Sequence, residues 1–149
     1  MTREEKCELA IERGYTYDHE TGLIYSRYKK IVNRRHWNYI SIALTLNKKT
    51  YNLRGHQFAW YWVNKECVEE IDHINGIRHD NRIINLRAVT KQQNHFNRTK
   101  AKGYTWFKRD SKWMSKIKVN SKTIHLGYYN TEQEARNAYL AAKEIYHKI

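Results

Sequence analysis

No proline occurs anywhere in the chain, and no low-complexity stretch does either, so its parts are not separated by a stiff or compositionally biased linker. Cysteine is nearly as scarce. Cys7 and Cys67 stand alone and far apart in sequence, which excludes a Cys-x-x-Cys zinc ligand pair and a dense disulfide framework. No zinc is expected, and the setting reads as reducing and cytoplasmic. No segment reaches the roughly 20 consecutive apolar residues needed to span a bilayer, and no signal-peptide pattern opens the chain. A membrane is therefore not an expected partner. Acidic residues are few as well: 15 Asp and Glu stand against 28 Lys and Arg, for a net charge of +13.

That charge coexists with aromatic residues, chiefly Tyr and Trp, at 13% of the sequence. Basic side chains neutralise phosphates and release their counterions, while aromatic faces stack on bases or pack beneath the basic groups. Nucleic acid is the expected partner. A length of 149 residues suits one ordinary domain or two small ones with modest cores.

Local signals divide the chain. Thr2 followed by Glu5 is a capping-box pattern, and Gly14 can end the short helix it opens. The turn-like His19-Glu20-Thr21-Gly22 lies between Tyr15/Tyr17 and Leu23/Ile24/Tyr25, which predicts a hairpin. Two β-prone runs, Asn38 to Thr45 and Thr50 to Leu53, flank a turn at Asn47-Lys48-Lys49. Gly55 to Asn64, with Phe58, Trp60, Tyr61 and Trp62, reads as a short helix whose aromatics form core.

The stretch EEIDHINGIRHDNRIINLRAVTKQQNHFNR, Glu69 to Arg98, is richest in chemistry. Ile71 to Ile74 predicts a short strand, Asn75-Gly76 a turn, and Leu86 to Val89 a returning strand. Thr90 followed by Gln93 opens a short helix that holds Asn94 and Asn97. Phosphodiester hydrolysis needs a general base, a cation to stabilise the pentavalent phosphate, and a group to hold the base still. His73 is the candidate base, since an imidazole titrates near neutral pH, and Asn85 is a candidate to fix its tautomer. Asp72 and the Asn94 carbonyl offer hard oxygens suited to Mg²⁺, with Mn²⁺ sharing the preference. Asp80 and Asn81 read as residues that tie the loop together.

Asp72-His73, Asn75-Gly76, Asp80-Asn81-Arg82, Asn85-Leu86-Arg87 and Gln93-Asn94 together resemble the HNH nuclease family, the ββα-metal fold, from about His56 to Arg98. The likeness is to phage and intron-encoded homing endonucleases. It implies Asp72 and Asn94 as metal ligands, His73 as general base and Asn85 as its orienter; it assigns no role to His79 or His95. The Tyr-x-x-x-Thr-Gly hairpin at Tyr17 to Gly22 also resembles what precedes the site in such enzymes. Their helix usually opens with His-Arg, where this chain has His56-Gln57. Arg34, Arg35, Lys48 and Lys49 are candidates for backbone phosphate contacts.

In the last third, three β-like runs, Tyr104 to Lys108, Lys112 to Val119 and Lys122 to Leu126, precede a helix capped by Thr131 and Glu134. Its apolar stripe runs through Ala135, Ala138, Tyr139, Ala142, Ile145, Tyr146 and Ile149. Alternation along the middle strand sets Trp113, Ser115, Ile117 and Val119 against Met114, Lys116 and Lys118. Trp106 and Trp113 read as core. Lys112-Trp113 and His125-Leu126-Gly127-Tyr128 in this context resemble the Apetala-type (ethylene-response-factor) DNA-binding domain. That resemblance implies a sheet face on DNA carrying Thr105, Lys108, Lys116, Lys118, Thr123 and His125. Arg98, Lys100 and Lys102 lie in the connecting segment and could track a groove.

The expectation is thus an α+β chain: an HNH domain over residues 1–98, with its ββα core at about 69–98, and an Apetala-type domain over 99–149. Its implied activity is metal-dependent, site-directed cleavage of double-stranded DNA, by a phage-encoded protein in the host bacterial cytoplasm. One active site per chain suits nicking by a monomer, and a homodimer would be needed for a symmetric double-strand break. The alternatives are a non-catalytic DNA-binding regulator and an RNA-directed nuclease or binder.

Overall fold

The structure is a computed structural model that describes residues 1–96 and 101–147. It divides into two compact units, Met1–Val89 and Thr90–Ile149. The architecture is mixed α+β, with strands and two helices in the first unit and a three-stranded antiparallel sheet with two helices in the second. Among the described residues no helix is long and apolar enough to cross a membrane.

The first unit opens with α1 (Arg3–Glu12), whose N-terminus is closed by the reciprocal Thr2 and Glu5 bonds that the sequence predicts. Gly14, at φ +80°, ends it: its N–H and that of Tyr15 reach back to the carbonyls of Ile11 and Ala10. The strands β1 (Thr16–Tyr17) and β2 (Ile24–Tyr25) then form the predicted hairpin. Next comes a three-stranded sheet in the order β3 (Arg35–His36), β4 (Tyr39–Leu46), β5 (Lys49–Arg54). The turn between β4 and β5 is Asn47-Lys48, both left-handed, as two-residue hairpins require. The first of these three strands was not anticipated, because two exposed residues carry no alternation to detect.

Helix α2 (Gly55–Asn64) follows without a break. It packs Phe58, Ala59 and Tyr61 into a core shared with Cys7, Ala10, Tyr17, Ile24, Ile42, Leu44 and Leu53. Phe58 is fully buried, which contributes about 1.5–3 kcal/mol. Trp60 and Trp62 pack at the edge of the same core. The unit closes with β6 (Glu70–His73), a 3-10 turn at Ile83–Asn85, and β7 (Leu86–Val89), which pairs antiparallel with β6.

The second unit begins with α3 (Lys91–Phe96), capped reciprocally by Thr90 and Gln93 as predicted. Its sheet has the order β8 (Tyr104–Phe107), β9 (Lys112–Val119), β10 (Lys122–Tyr129), with Asn120-Ser121 as the left-handed turn between the last two. Helix α4 (Glu132–Tyr146), capped by Thr131 and Glu134, covers one face through Tyr139 and Ala142, which pack on Ile117. Gly103, at φ +77°, lies against the Tyr139 ring; a Cβ there would fall 2.0 Å from ring atoms.

Two expectations need correction. Trp106 is not core: it is half exposed, and its ring meets Trp113 edge-on at 5.1 Å. The apolar stripe of α4 is also shorter than expected, since Ile145 is 65% exposed. At about 100° per residue, Ile145 points roughly 80° away from Ala135, off the face that Ala135, Tyr139 and Ala142 share. Ile149 lies outside the described residues.

Candidate functional site

The β6–β7 pairing fixes the two residues at the centre of the sequence reading. Alternation along β6 sends His73 inward with Ile71 and leaves Asp72 on the other face. Asp72 is directly opposite Arg87, and its Oδ2 accepts from Arg87 Nε at 2.9 Å and Nη2 at 2.7 Å. His73 sits at the end of the strand, only 6% exposed.

His73 Nε2 lies 3.2 Å from the side-chain oxygen of Asn81. An amide oxygen only accepts, so with Asn81 in this orientation Nε2 would carry the proton and Nδ1 would keep its lone pair. Burial lowers the pKa of the ring, against a smaller opposing pull from Asn81 and then from Asp72, and so favours the neutral form that a base requires. Asn81 is itself fixed. It is 1% exposed, its carbonyl accepts from the Tyr17 hydroxyl at 2.6 Å, and its side-chain nitrogen lies where a Cβ on Gly55 would intrude to 2.7 Å. Gly22 makes similar room, since a Cβ there would meet the Arg82 backbone nitrogen at 2.4 Å. The Tyr17-to-Gly22 hairpin is thus a seat for the loop that holds His73.

Two further rings close the cluster. His56, at the start of α2, stands edge-on to His73 with centroids 5.1 Å apart, and Tyr39 lies 5.1 Å from His56 and 5.9 Å from His73. The guanidiniums of Arg54 and Arg78 sit over Tyr39 at 4.9 and 5.4 Å. His56 is buried with no hydrogen-bond partner at Nδ1, and burial, then His73 and Arg54, push its pKa down to about 3. The unfolded chain, with an ordinary imidazole, binds that proton near pH 6.5. Stability is therefore expected to fall as pH drops from about 6.5 towards 3, by up to about 1.4 kcal/mol per pH unit from this group. Denaturant melts of the wild type and His56→Asn across that range test this, and an equal slope in both would refute it.

The amides of the loop brace one another. Asn85 Nδ2 donates to Asn75 Oδ1 and to the Asp80 carbonyl, and Asn85 Oδ1 accepts from the Asn75 N–H. Asp80 joins the brace, accepting from Asn75 Nδ2 and from Arg82 Nε and Nη2, and the Arg82 bonds chiefly hold its pKa down at about 2. The side chain of Asn85 is thus spent on the loop, and the ring of His73 meets Asn81. Three residues separate the two amides, and only the path of the loop decides which one faces the ring. His79 and His95 are exposed.

Asn94 lies on α3, in the second unit. Within that unit, cross-strand partners share a face, and the pairs Thr105 with Met114, His125 with Lys116, and Thr123 with Lys118 put five of the predicted DNA-binding residues on the side of the sheet away from Ile117. Thr105, Lys116, Lys118, Thr123 and His125 are all exposed there, and Lys108 is exposed in the turn after β8. A bulge between His125 and Gly127 keeps Tyr128 on that same side, opposite Met114. Arg98 and Lys100 lie outside the described residues; Lys102 is exposed.

A helix entered at a buried histidine, a strand ending in Asp-His, an amide-braced loop, a returning strand and a short helix follow in that order. Residues 56–96 match the family model described as HNH endonuclease. The match supports an HNH nuclease acting on DNA. The matched segment opens at His56 and takes in β6, β7 and α3, leaving the strands before it and the C-terminal sheet outside. No curated protein and no solved structure matches the chain. The part played by Tyr39, His56 and Asn81 around His73 escaped the sequence reading. The Tyr-x-x-x-Thr-Gly hairpin and the run Asp80-Asn81-Arg82 were the available signals, but neither shows what docks on it.

Proposed function

We propose that the chain is a metal-dependent, site-directed DNA endonuclease of the homing type, with His73 as its general base. The carrying observation is a buried imidazole whose Nε2 is held by an amide oxygen, next in sequence to Asp72, inside the stretch that matches the HNH endonuclease family. His73 would take a proton from water as that water's oxygen bonds to phosphorus, and the bond from phosphorus to the leaving oxygen would break.

Asp72 and Asn94 would hold a divalent cation, as the family resemblance implies. Among the described residues there is no group of three or more His, Cys, Asp or Glu able to hold a metal. A carboxylate and an amide oxygen instead fit Mg²⁺, which keeps several waters and takes phosphate oxygens of the substrate; Mn²⁺ has the same preference for oxygen. When bound, the cation would supply positive charge to the pentavalent phosphate and the leaving oxygen. Arg87 steadies the carboxylate from the paired strand.

The exposed face of the second unit, with Lys116 and Lys118 at its centre, would grip duplex DNA in the manner of an Apetala-type domain. Support comes from its three antiparallel strands, helix α4 on the opposite face and its cationic side chains. Replacing both lysines with Ala is expected to weaken DNA binding and to lower the slope of log affinity against log salt by about 2, roughly one per lost phosphate contact. An unchanged slope in binding titrations would remove this face from the interface. The direct test of the enzyme is supercoiled plasmid incubated with Mg²⁺ or with EDTA. Metal-dependent appearance of open-circular or linear DNA establishes the activity, and its absence at high protein would overturn it.

A further inference from the structure

From Thr21 to Lys65 the chain has no Asp or Glu and nine Lys and Arg. This acid-free stretch includes β3 and β4, joined by the two-residue turn Trp37-Asn38. Both turn residues are left-handed, at φ 55° and 64°. That conformation suits Asn, Asp and Gly at a hairpin tip, and a tryptophan gains nothing from it. Yet the tip carries an indole that is 77% exposed, its edge on His36 at 6.0 Å. Arg34, Arg35 and His36 beside it are exposed as well. Immediately beyond the turn, Tyr39 packs on His73 and His56 beneath the Arg54 and Arg78 guanidiniums. One short hairpin therefore runs from the imidazole assigned as general base to a solvent-facing indole that Arg34 and Arg35 closely precede in sequence.

We propose that Trp37 is a base-contacting wedge: its indole stacks on a nucleobase of the duplex whose phosphate lies at His73, while the flanking arginines hold the adjoining backbone. This rests on the nuclease reading of His73. A left-handed, exposed aromatic at the tip of a polar, basic hairpin contributes little packing to its unit, and the absence of acidic residues from Thr21 to Lys65 matches the charge of nucleic acid. Stacking on a base is tolerant of sequence, because every base presents a π face. The wedge would thus add grip and distort the duplex next to the cut, without reading a particular base pair.

Trp37→Gly removes the indole and also suits the left-handed backbone, so it should melt no lower than the wild type. Trp37→Phe keeps an aromatic face. In EDTA, affinity for a short mixed-sequence duplex carrying a fluorescent adenine analogue is measured for all three proteins. We expect Trp37→Gly to bind about tenfold more weakly, with the analogue's emission changing on binding the wild type and Trp37→Phe but not Trp37→Gly. A wild type that cuts plasmid while Trp37→Gly binds with unchanged affinity would overturn the wedge and leave the nuclease intact. A wild type that neither binds nor cuts DNA would overturn both. Sedimentation showing a dimer that Trp37→Gly dissolves, with DNA affinity unaltered, would assign the indole to a second copy of the chain instead.

Discussion

His73→Ala is expected to lower the rate of plasmid cleavage in Mg²⁺ by about 10²- to 10⁴-fold while leaving DNA affinity near that of the wild type. The rate loss follows from removing the group that accepts the proton of water; the retained affinity follows from the position of His73, which is 6% exposed and offers little surface to the duplex. Because the ring is packed against His56 and Tyr39, Ala also leaves a void there. His73→Gln fills most of that space without supplying a base, and it should be equally inactive. Thermal melts of both variants separate lost chemistry from lost fold. Wild-type cleavage rates in either folded variant would refute the assignment of the base. The product of the wild-type reaction, open circle or linear, also reports whether one strand is cut or both.

Asn81→Ala should lower the turnover rate by about 10- to 100-fold, by the reasoning that applies wherever a neighbouring group fixes the tautomer of a working histidine. The amide oxygen 3.2 Å from Nε2 is what keeps the proton on that nitrogen. Without it both tautomers become populated and the ring is free to turn. The same change removes a nearly fully buried side chain, so some stability is lost too, on the order of 1–3 kcal/mol. A loss of stability alone would not alter the imidazole. Nitrogen chemical shifts of the His73 ring supply that discrimination: they should show a single tautomer in the wild type and a mixture in Asn81→Ala. In Asn85→Ala the loop brace of Asn75 and Asp80 is lost, yet the tautomer should persist. A tautomer that changes in Asn85→Ala and not in Asn81→Ala would return the orienting role to Asn85.

The local devices of the fold were legible because they are decided within a few residues. Thr2 with Glu5, Thr90 with Gln93 and Thr131 with Glu134 each cap a helix as read, since a capping box needs only a turn of chain to close. The turns at Asn47-Lys48 and Asn120-Ser121 appear for the same reason. Lys116 and Lys118 fall on the face opposite Ile117 because alternation along a strand is a property of its own backbone. Asp72 and His73 were picked out by residue type and spacing, and both lie within the stretch that matches the HNH endonuclease family model.

What surrounds His73 is different in kind. Tyr39, His56 and Asn81 come from a strand, a helix and a loop, and none has a local pattern that distinguishes it from a neighbour. Asn81 and Asn85 are the same residue type in one short loop, and the docking of that loop on Tyr17, Gly22 and Gly55 turns the first towards the imidazole and the second into the brace. Trp106 likewise carries an apolar side chain in a position that read as buried, and the extent of the surface packed against it left it half exposed. The sequence by itself determined the helices, turns, strand faces and chemical inventory, because these depend on contacts a few residues apart. Only the tertiary structure decided which amide faces the histidine and which aromatics are left to solvent, because those choices belong to side chains far apart in sequence that compete for the same space.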